Sequence, residues 1–176
     1  MSILIRKAVA SDLDSVEQLY EALLDQLEHG INYPGWRKGS YPLRADAEEG
    51  LAEDILYVAE IDGRIAGTVM YPHTQDPSYR TADWQIPYDS PVLTLHILAV
   101  HPDCRAMGVG RALVDYADTL ARERGVLAVR LDTHENNLPA CRLYEKCGYH
   151  YCGLVDLGLE EKYGLKWYRT YEKLIR

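Results

Sequence analysis

Stretches of apolar residues divide this chain into segments of two periodicities. Continuous or alternating apolar runs predict strands at residues 3–7, 55–61, 64–71, 93–100, 126–132, 149–156 and 166–174. Helical spacing predicts helices from a capping box at Ser11 and Asp14 to about His29, from Gly108 to about Arg124, and from Asn137 to about Lys146. This order predicts an α/β (α+β) fold in which a mixed sheet carries helices on both faces.

Two long segments, 31–46 and 72–91, lack either periodicity and are rich in polar and aromatic residues. A structureless stretch as long as the second one is usually functional in a compact domain. We therefore expect these segments to cover a substrate pocket. Their candidate contacts with a substrate are Tyr33, Trp36, Asp83, Trp84, Tyr88 and Asp89.

Composition narrows the class of protein. The 176 residues predict a single domain over 1–176, and the net charge of −8 argues against nucleic-acid or acidic-membrane partners. The start of the chain has neither a secretory signal nor a membrane span, so we expect a cytoplasmic protein. Four cysteines without zinc-site spacing predict reduced thiols and no metal.

The segment from Leu93 to Leu113 predicts a strand, a glycine loop and the start of a helix. Arg105, Gly108 and Gly110 are spaced as R-x-x-G-x-G. Glycines let the backbone approach a ligand closely, and a helix N-terminus directs unpaired N–H groups at negative charge. The spacing fits neither a P-loop nor the dinucleotide pattern G-x-G-x-x-G. The loop therefore predicts a pyrophosphate site of another type.

Two motifs carry a resemblance to a known family. The first is Leu98, Ala99, Val100 and Pro102 followed by the glycine loop, and the second is N-x-x-A-x-x-L-Y-E-K-x-G-Y over 137–149. Both, in this order, resemble the GCN5-related N-acetyltransferase (GNAT) family. The resemblance implies a mixed, mostly antiparallel sheet of about six or seven strands with a splayed parallel pair. It also implies acetyl-CoA as the cofactor.

The resemblance implies a role for each motif residue. The expected cofactor contacts are Leu98, Ala99, Val100, Arg105, Ala106, Met107, Gly108, Val109, Gly110, Arg111, Asn137, Ala140 and Tyr144. Among these, the backbone N–H of Leu98 would stabilise the oxyanion, and Val100 and Asn137 would bind the pantetheine arm. Tyr144 would act as the acid that protonates the leaving thiolate, a role that suits a phenol.

A protonated amine must lose a proton before it attacks a thioester. Strand alternation places Thr94, His96 and Leu98 on one face, and of these His96 can act as a base near neutral pH. The resemblance implies a Glu or His at this point of the strand. Glu60, Asp89 and His134 are the alternative bases.

These features predict an N-acetyltransferase that transfers acetyl from acetyl-CoA to a primary amine of a small molecule by direct attack in a ternary complex. Two alternatives stay open. One is acetylation of a protein or peptide amine, and the other is a non-catalytic sensor of acyl-CoA. The acceptor amine, the acyl chain preference and the oligomeric state, for which a homodimer is one option, are not determined by the sequence.

Overall fold

The computed structural model describes residues 2–176. Its strands are β1 (Leu4–Lys7), β2 (Leu56–Ile61), β3 (Arg64–Met70), β4 (Val92–Val100), β5 (Ala128–His134), β6 (His150–Asp156) and β7 (Trp167–Leu174). Its α-helices are α1 (Leu13–His29), α2 (Arg44–Ala52), α3 (Val109–Glu123), α4 (Leu138–Lys146) and α5 (Glu160–Tyr163). The seven strands are hydrogen-bonded in the order β1-β2-β3-β4-β5-β7-β6.

The pairing confirms the predicted mixed sheet. Strands β4 and β5 are parallel, from Val92 paired with Ala128 to Leu95 paired with Leu131, and every other pair is antiparallel. The chain divides into two compact units, and β4 contributes its last residues, from His96 onward, to the first unit and its first residues to the second.

The first unit contains the described residues up to Asn32, with Trp36–Tyr71 and His96–Tyr116. Helix α1 buries one apolar side at helical spacing, against a core that includes Leu56, Val58 and Met70. The other face of the same strands packs against α3: a Cβ atom built on Gly67 would lie 2.6 Å from Val109 Cγ1. Helices therefore cover both faces of this part of the sheet.

The start of α1 differs from the prediction. A short 3₁₀ turn, Ala10–Asp12, precedes the helix, and the Asp12 carboxylate accepts the Val9 N–H at 2.8 Å. The expected capping box at Ser11 and Asp14 is therefore wrong. Asp12 is fixed instead because the Arg6 guanidinium donates to both of its oxygens, at 2.7 and 2.9 Å. The element order left room for one or two early helices, and α2 is the second of them; it begins at Arg44, inside the end of the segment expected to be irregular.

The hairpin between β2 and β3 is confirmed. Asp62 and Gly63 have φ values of 50° and 77°, the combination that a type I′ turn requires. The turn pairs Ile61 with Arg64, and the strands continue to Leu56 paired with Met70. The sequence signal and the backbone geometry agree at this position.

The second unit contains Tyr33–Gly35, Pro72–Leu95 and Ala117–Arg176. Strand β5 lies two residues later than predicted, because the Val126 N–H still bonds to Ala121 O at the end of the preceding helix. As a result Asp132 lies inside the strand and not at its end. Side chains alternate along a strand, so Arg130, Asp132 and His134 share one face of β5.

Hydrogen bonds from a buried arginine fix the position of the long segment 72–91. Arg130 and Glu172 both have no exposed surface and form an ion pair of 2.7 Å. The remaining guanidinium N–H groups all bond to the segment, and the ring of Trp84 lies 4.4 Å from the guanidinium carbon. The acceptors in the segment are Gln75 Oε1 at 2.7 Å, Ile86 O at 2.9 Å, Pro87 O at 3.1 Å and Tyr88 O at 2.9 Å.

Several aromatic residues expected to contact a substrate have structural partners. The Trp84 Nε1–H donates to Tyr79 O at 2.7 Å, and Arg80 lies 4.2 Å from the centre of the Tyr88 ring. Trp36 packs against the core of the first unit. These side chains stabilise the segments themselves.

Candidate active site

The last part of β4 contains a β-bulge. Met70 pairs with His96 and Thr68 pairs with Ala99, so β4 has one more residue than β3 over this interval. Ile97 lies in the bulge with a φ of 48°. A β-branched residue rarely adopts a positive φ, so the bulge is a strained feature.

The bulge determines where two backbone donors point. The His101 N–H bonds to Ala66 O of β3 at 2.8 Å. Because successive N–H groups of a strand point to opposite sides, those of Val100 and Leu98 point away from β3. The pairing with β5 ends at Leu95, so these two donors lie on an edge of β4 beyond that pairing. They are the two donors that the family resemblance assigns to the cofactor.

The same bulge corrects the expected position of His96. Paired residues of two strands project to the same face, so His96 lies on the face of Met70, and Ala99 on that of Thr68. Met70 and Thr68 share a face, hence so do His96 and Ala99. The Leu98 side chain lies on the opposite face, and the expectation that His96 and Leu98 share one is wrong. The role of His96 as a base stays a prediction.

The loop after β4 leads into the N-terminus of helix α3. Ala106 and Gly108 have φ values of 61° and 83°, and α3 begins at Val109. The Ala112 N–H bonds to Gly108 O at 2.9 Å, so the N–H groups of residues 109–111 precede the first bond of the helix. Such a terminus favours an anion. A Cβ on Gly108 would meet no atom within 4 Å, so glycine is needed there for its backbone conformation.

The residues of this loop that are expected to contact the cofactor differ in how far their side chains are exposed. Arg105, Ala106 and Met107 are exposed, and the Arg111 side chain is 62% exposed with its Nε 3.3 Å from Asp115. The side chains of Ala99 and Val109 are 1% exposed and belong to the interior. Those two residues can therefore meet a ligand only through their backbone, and Gly110 likewise.

The second motif lies in the second unit, on β5 and α4. The Asn137 side chain donates to Thr133 Oγ1 at 2.9 Å and does not cap the helix. Ala140 is half-buried one turn before Tyr144. Tyr144 is 5% exposed, because its ring packs among other tyrosines. The distances between ring centroids are 5.8 Å to Tyr171 and 6.1 Å to Tyr149.

The hydroxyl of Tyr144 is the chemically notable group of this motif. Within residues 2–176 this hydroxyl makes no hydrogen bond, and it is not one of the fully buried polar atoms. Burial, and next the negative charge of Asp132, raise the pKa of Tyr144 well above its usual range. The proton therefore stays on the phenol at physiological pH, in the form that can donate to a ligand.

One hydrogen-bonded pair of side chains in the second unit was not predicted from the sequence. The hydroxyl of Tyr79, which is fully buried, donates to Asp132 Oδ2. Tyr79 lies on a short turn in the 72–91 segment and Asp132 lies on β5, 53 positions later. No local pattern connects such distant residues, and the apolar run before Asp132 indicated only a strand.

The alternative bases have other surroundings. Glu60 is bonded to the Arg6 guanidinium, and Asp89, with an 80% exposed side chain, lies 3.5 Å from Arg80. His134 is 8% exposed, with its ring 5.7 Å from that of Tyr168, and burial lowers its pKa. None of these geometries singles out a base.

All four cysteines are free thiols, and across the described chain no group of three or more His, Cys, Asp or Glu side chains is placed to hold a metal ion. No helix within residues 2–176 combines the length and apolar character needed to cross a membrane.

The fold and the glycine loop before α3 are those of an acetyltransferase family. The chain belongs to the acetyltransferase (GNAT) family, whose model matches residues 16–149. An acetyltransferase of this family from Streptococcus agalactiae has a TM-score of 0.74 at 23% identity, covering 99% of this chain and 96% of its own. The ribosomal-protein-S18-alanine N-acetyltransferase of Escherichia coli has a TM-score of 0.71 at 17% identity, covering 99% and 94%. These two likenesses show the fold alone.

Curated relatives match over shorter stretches. Streptothricin acetyltransferase of Escherichia coli is 44% identical over 62 residues, which is 35% of this chain and 34% of that protein. Mycothiol acetyltransferase of Thermomonospora curvata is 32% identical over 94 residues, 53% of this chain and 27% of that protein. The match thus spans about a third or less of each relative's length.

Proposed function

We propose that this protein is an acetyl-CoA-dependent N-acetyltransferase that acts on a primary amine of a small molecule. The observation that carries the proposal is the pair of outward donors at Leu98 and Val100, followed at once by the open N-terminus of α3. Amide acceptors and a pyrophosphate are the chemistry that these two features bind. Family membership and the named acetyltransferase relatives support the same activity.

The residues present fit the cofactor. The N–H groups at the start of α3, with exposed Arg105 and Arg111, would hold the pyrophosphate. Val100 and Asn137 would bind the pantetheine amides, and the half-buried Ala140 leaves room for a chain to pass. When bound, acetyl-CoA supplies the acetyl group as a thioester.

The chain's own residues then account for charge and protons. The Leu98 N–H would donate to the thioester carbonyl oxygen as that oxygen gains negative charge. The Leu98 N–H lies in the plane of the sheet, so its position does not depend on the face to which the Leu98 side chain points. His96, whose side chain projects from the other face, could therefore still receive the proton of the amine, directly or through water. Tyr144 would donate its proton to the departing thiolate. Its raised pKa makes the phenol a weak acid, so the transfer depends on the charge that develops on sulfur.

The activity is tested by release of free thiol from acetyl-CoA with a panel of small amines, polyamines, aminoglycosides and peptides. We expect turnover with at least one small amine. Turnover only with peptides would contradict the proposed acceptor class, and tight cofactor binding without any turnover would support the sensor alternative.

The mechanism is tested with Tyr144→Phe, which removes one hydroxyl that makes no hydrogen bond within the described residues 2–176. We expect kcat to fall by about 10²-fold while stability and acetyl-CoA affinity change little. Tyr151→Phe, at a side chain exposed on β6, is the matched control and should keep wild-type activity. His96→Gln should also lower kcat. Unchanged turnover in both the Tyr144 and His96 variants would refute the assigned roles.

A further inference from the structure

The side chain of Asn137 does not cap the helix that follows it. An asparagine at this position usually accepts a backbone N–H from the first helical turn. In α4 the second helical residue is Pro139, which has no N–H to offer a cap. The Asn137 amide instead donates through Nδ2 to Thr133 Oγ1 at 2.9 Å, and the Asn137 backbone N–H bonds to His134 O at 2.8 Å. The amide is therefore held against β5 and not against its own helix.

Thr133 lies at the point where β5 continues without its parallel neighbour. The pairing of β5 with β4 ends at Leu131, whereas its pairing with β7 continues through Thr133 to His134. Thr133 is 9% exposed, and the rotamers of a β-branched side chain are restricted, so its hydroxyl has a defined position. Within residues 2–176, the Asn137 amide is the one hydrogen-bond partner of this hydroxyl.

The bond to Thr133 determines which part of the Asn137 amide is available to a ligand. Thr133 uses a hydrogen of Nδ2, so the amide plane is fixed with its oxygen, Oδ1, directed elsewhere. Within the described chain Oδ1 makes no hydrogen bond, and it is not one of the fully buried polar atoms. A fixed and accessible amide oxygen is an acceptor for an N–H group of a ligand.

We infer that Thr133 is a positioning residue, which orients the Asn137 amide so that Oδ1 accepts an amide N–H of the pantetheine arm of CoA. The inference rests on the proposed function, which places Asn137 beside this arm, and it adds the residue that holds Asn137 in place. Without the Thr133 hydroxyl, the Asn137 amide would sample several orientations. Binding would then have to order it, at a cost in affinity.

The test measures the binding of free CoA by titration calorimetry, which needs no acceptor amine. Thr133→Val keeps the shape of the side chain without its hydroxyl and should raise the Kd for CoA by about 10-fold. Thr133→Ser keeps a hydroxyl and should stay within about threefold of the wild type. In the double variant Thr133→Val/Asn137→Ala, the loss should equal that of Asn137→Ala alone, because Thr133 acts only through Asn137.

Two controls separate the orientation of Asn137 from general damage to the fold. The nucleotide part of CoA, 3′-phospho-ADP, lacks the pantetheine arm, and its Kd should be the same in Thr133→Val as in the wild type. Thr170→Val removes another buried hydroxyl of the same sheet, which donates to Gly153 O at 2.9 Å. It should lower the melting temperature and leave the Kd for CoA unchanged.

Three results would overturn the role of Thr133 alone: an unchanged Kd for CoA in Thr133→Val, equal losses for CoA and 3′-phospho-ADP, or additive losses in the double variant. Failure of the proposed function looks different. A wild type that binds no CoA would remove the cofactor site and the role of Thr133 with it. CoA binding that depends on Thr133, without turnover of any amine, would support this inference together with the sensor alternative.

Discussion

Replacement of Arg130 by methionine should be among the most damaging single changes in this protein. The substitution keeps an unbranched apolar chain but removes every hydrogen bond of the guanidinium. Glu172, which has no exposed surface, then loses its ion-pair partner. Removing one partner of a buried ion pair costs about 3–5 kcal/mol, because the other charge stays buried without compensation. Three backbone carbonyls, at residues 86, 87 and 88, lose their donor as well, at about 1 kcal/mol each.

We therefore expect Arg130→Met to lower the free energy of unfolding by about 6–8 kcal/mol, out of the roughly 5–15 kcal/mol typical of a domain. The double variant Arg130→Met/Glu172→Leu removes the orphaned charge and should be more stable than the single one. It should still lose about 4 kcal/mol, because the three carbonyls and the Gln85 N–H, which donates to Glu172 at 2.6 Å, remain unpaired.

Urea unfolding at pH 7 measures these free energies, and hydrogen exchange of the amides in 84–88 reports whether the segment loosens. Arg80→Met is the control, since Arg80 is 62% exposed and its ion pair with Asp89 should contribute less than about 1 kcal/mol. A loss below about 1.5 kcal/mol in Arg130→Met would refute the reasoning. So would a double variant less stable than Arg130→Met.

Two further predictions concern the first unit. A methyl group in Gly67→Ala would lie 2.6 Å from Val109 Cγ1 and 3.0 Å from Leu113 Cδ1, so α3 must shift; we expect a loss of about 1–3 kcal/mol in thermal unfolding and weaker acetyl-CoA binding. Unchanged stability would show that the helix is not in close contact. Hydrogen bonds from Arg6 lower the pKa of Asp12 in the folded protein. The ionised Asp12 carboxylate therefore stabilises the fold above its ordinary pKa of 3.8, and this stabilisation is lost as the pH falls through the lower pKa of the folded state. Asp12→Asn should lower stability by about 1–3 kcal/mol at pH 7 and flatten its dependence on pH below 3.8, and equal acid sensitivity in the variant would argue against this ion pair.

Local signals predicted the parts of the fold that local physics determines. The spacing of apolar residues along α1, the Asp62-Gly63 turn and the glycine loop before α3 each carry their own conformational preference. The two family motifs added the sheet type. The hydrogen bonds from Arg130 to the 72–91 segment and the Tyr79–Asp132 bond join residues more than 40 positions apart, and a single sequence contains no signal for such contacts.

The bulge at Ile97 shows why the candidate site could be predicted only in part. In a regular strand continued from the pair of Met70 with His96, the N–H groups of Leu98 and Val100 would point toward β3 and be consumed by the ladder. One extra residue reverses this parity and turns both donors outward. The backbone strain of an isoleucine at a φ of 48° opposes its ordinary preference, so propensity predicts a straight strand. The strained residue is therefore what turns these two N–H groups away from β3, toward the position where the proposed function places the cofactor.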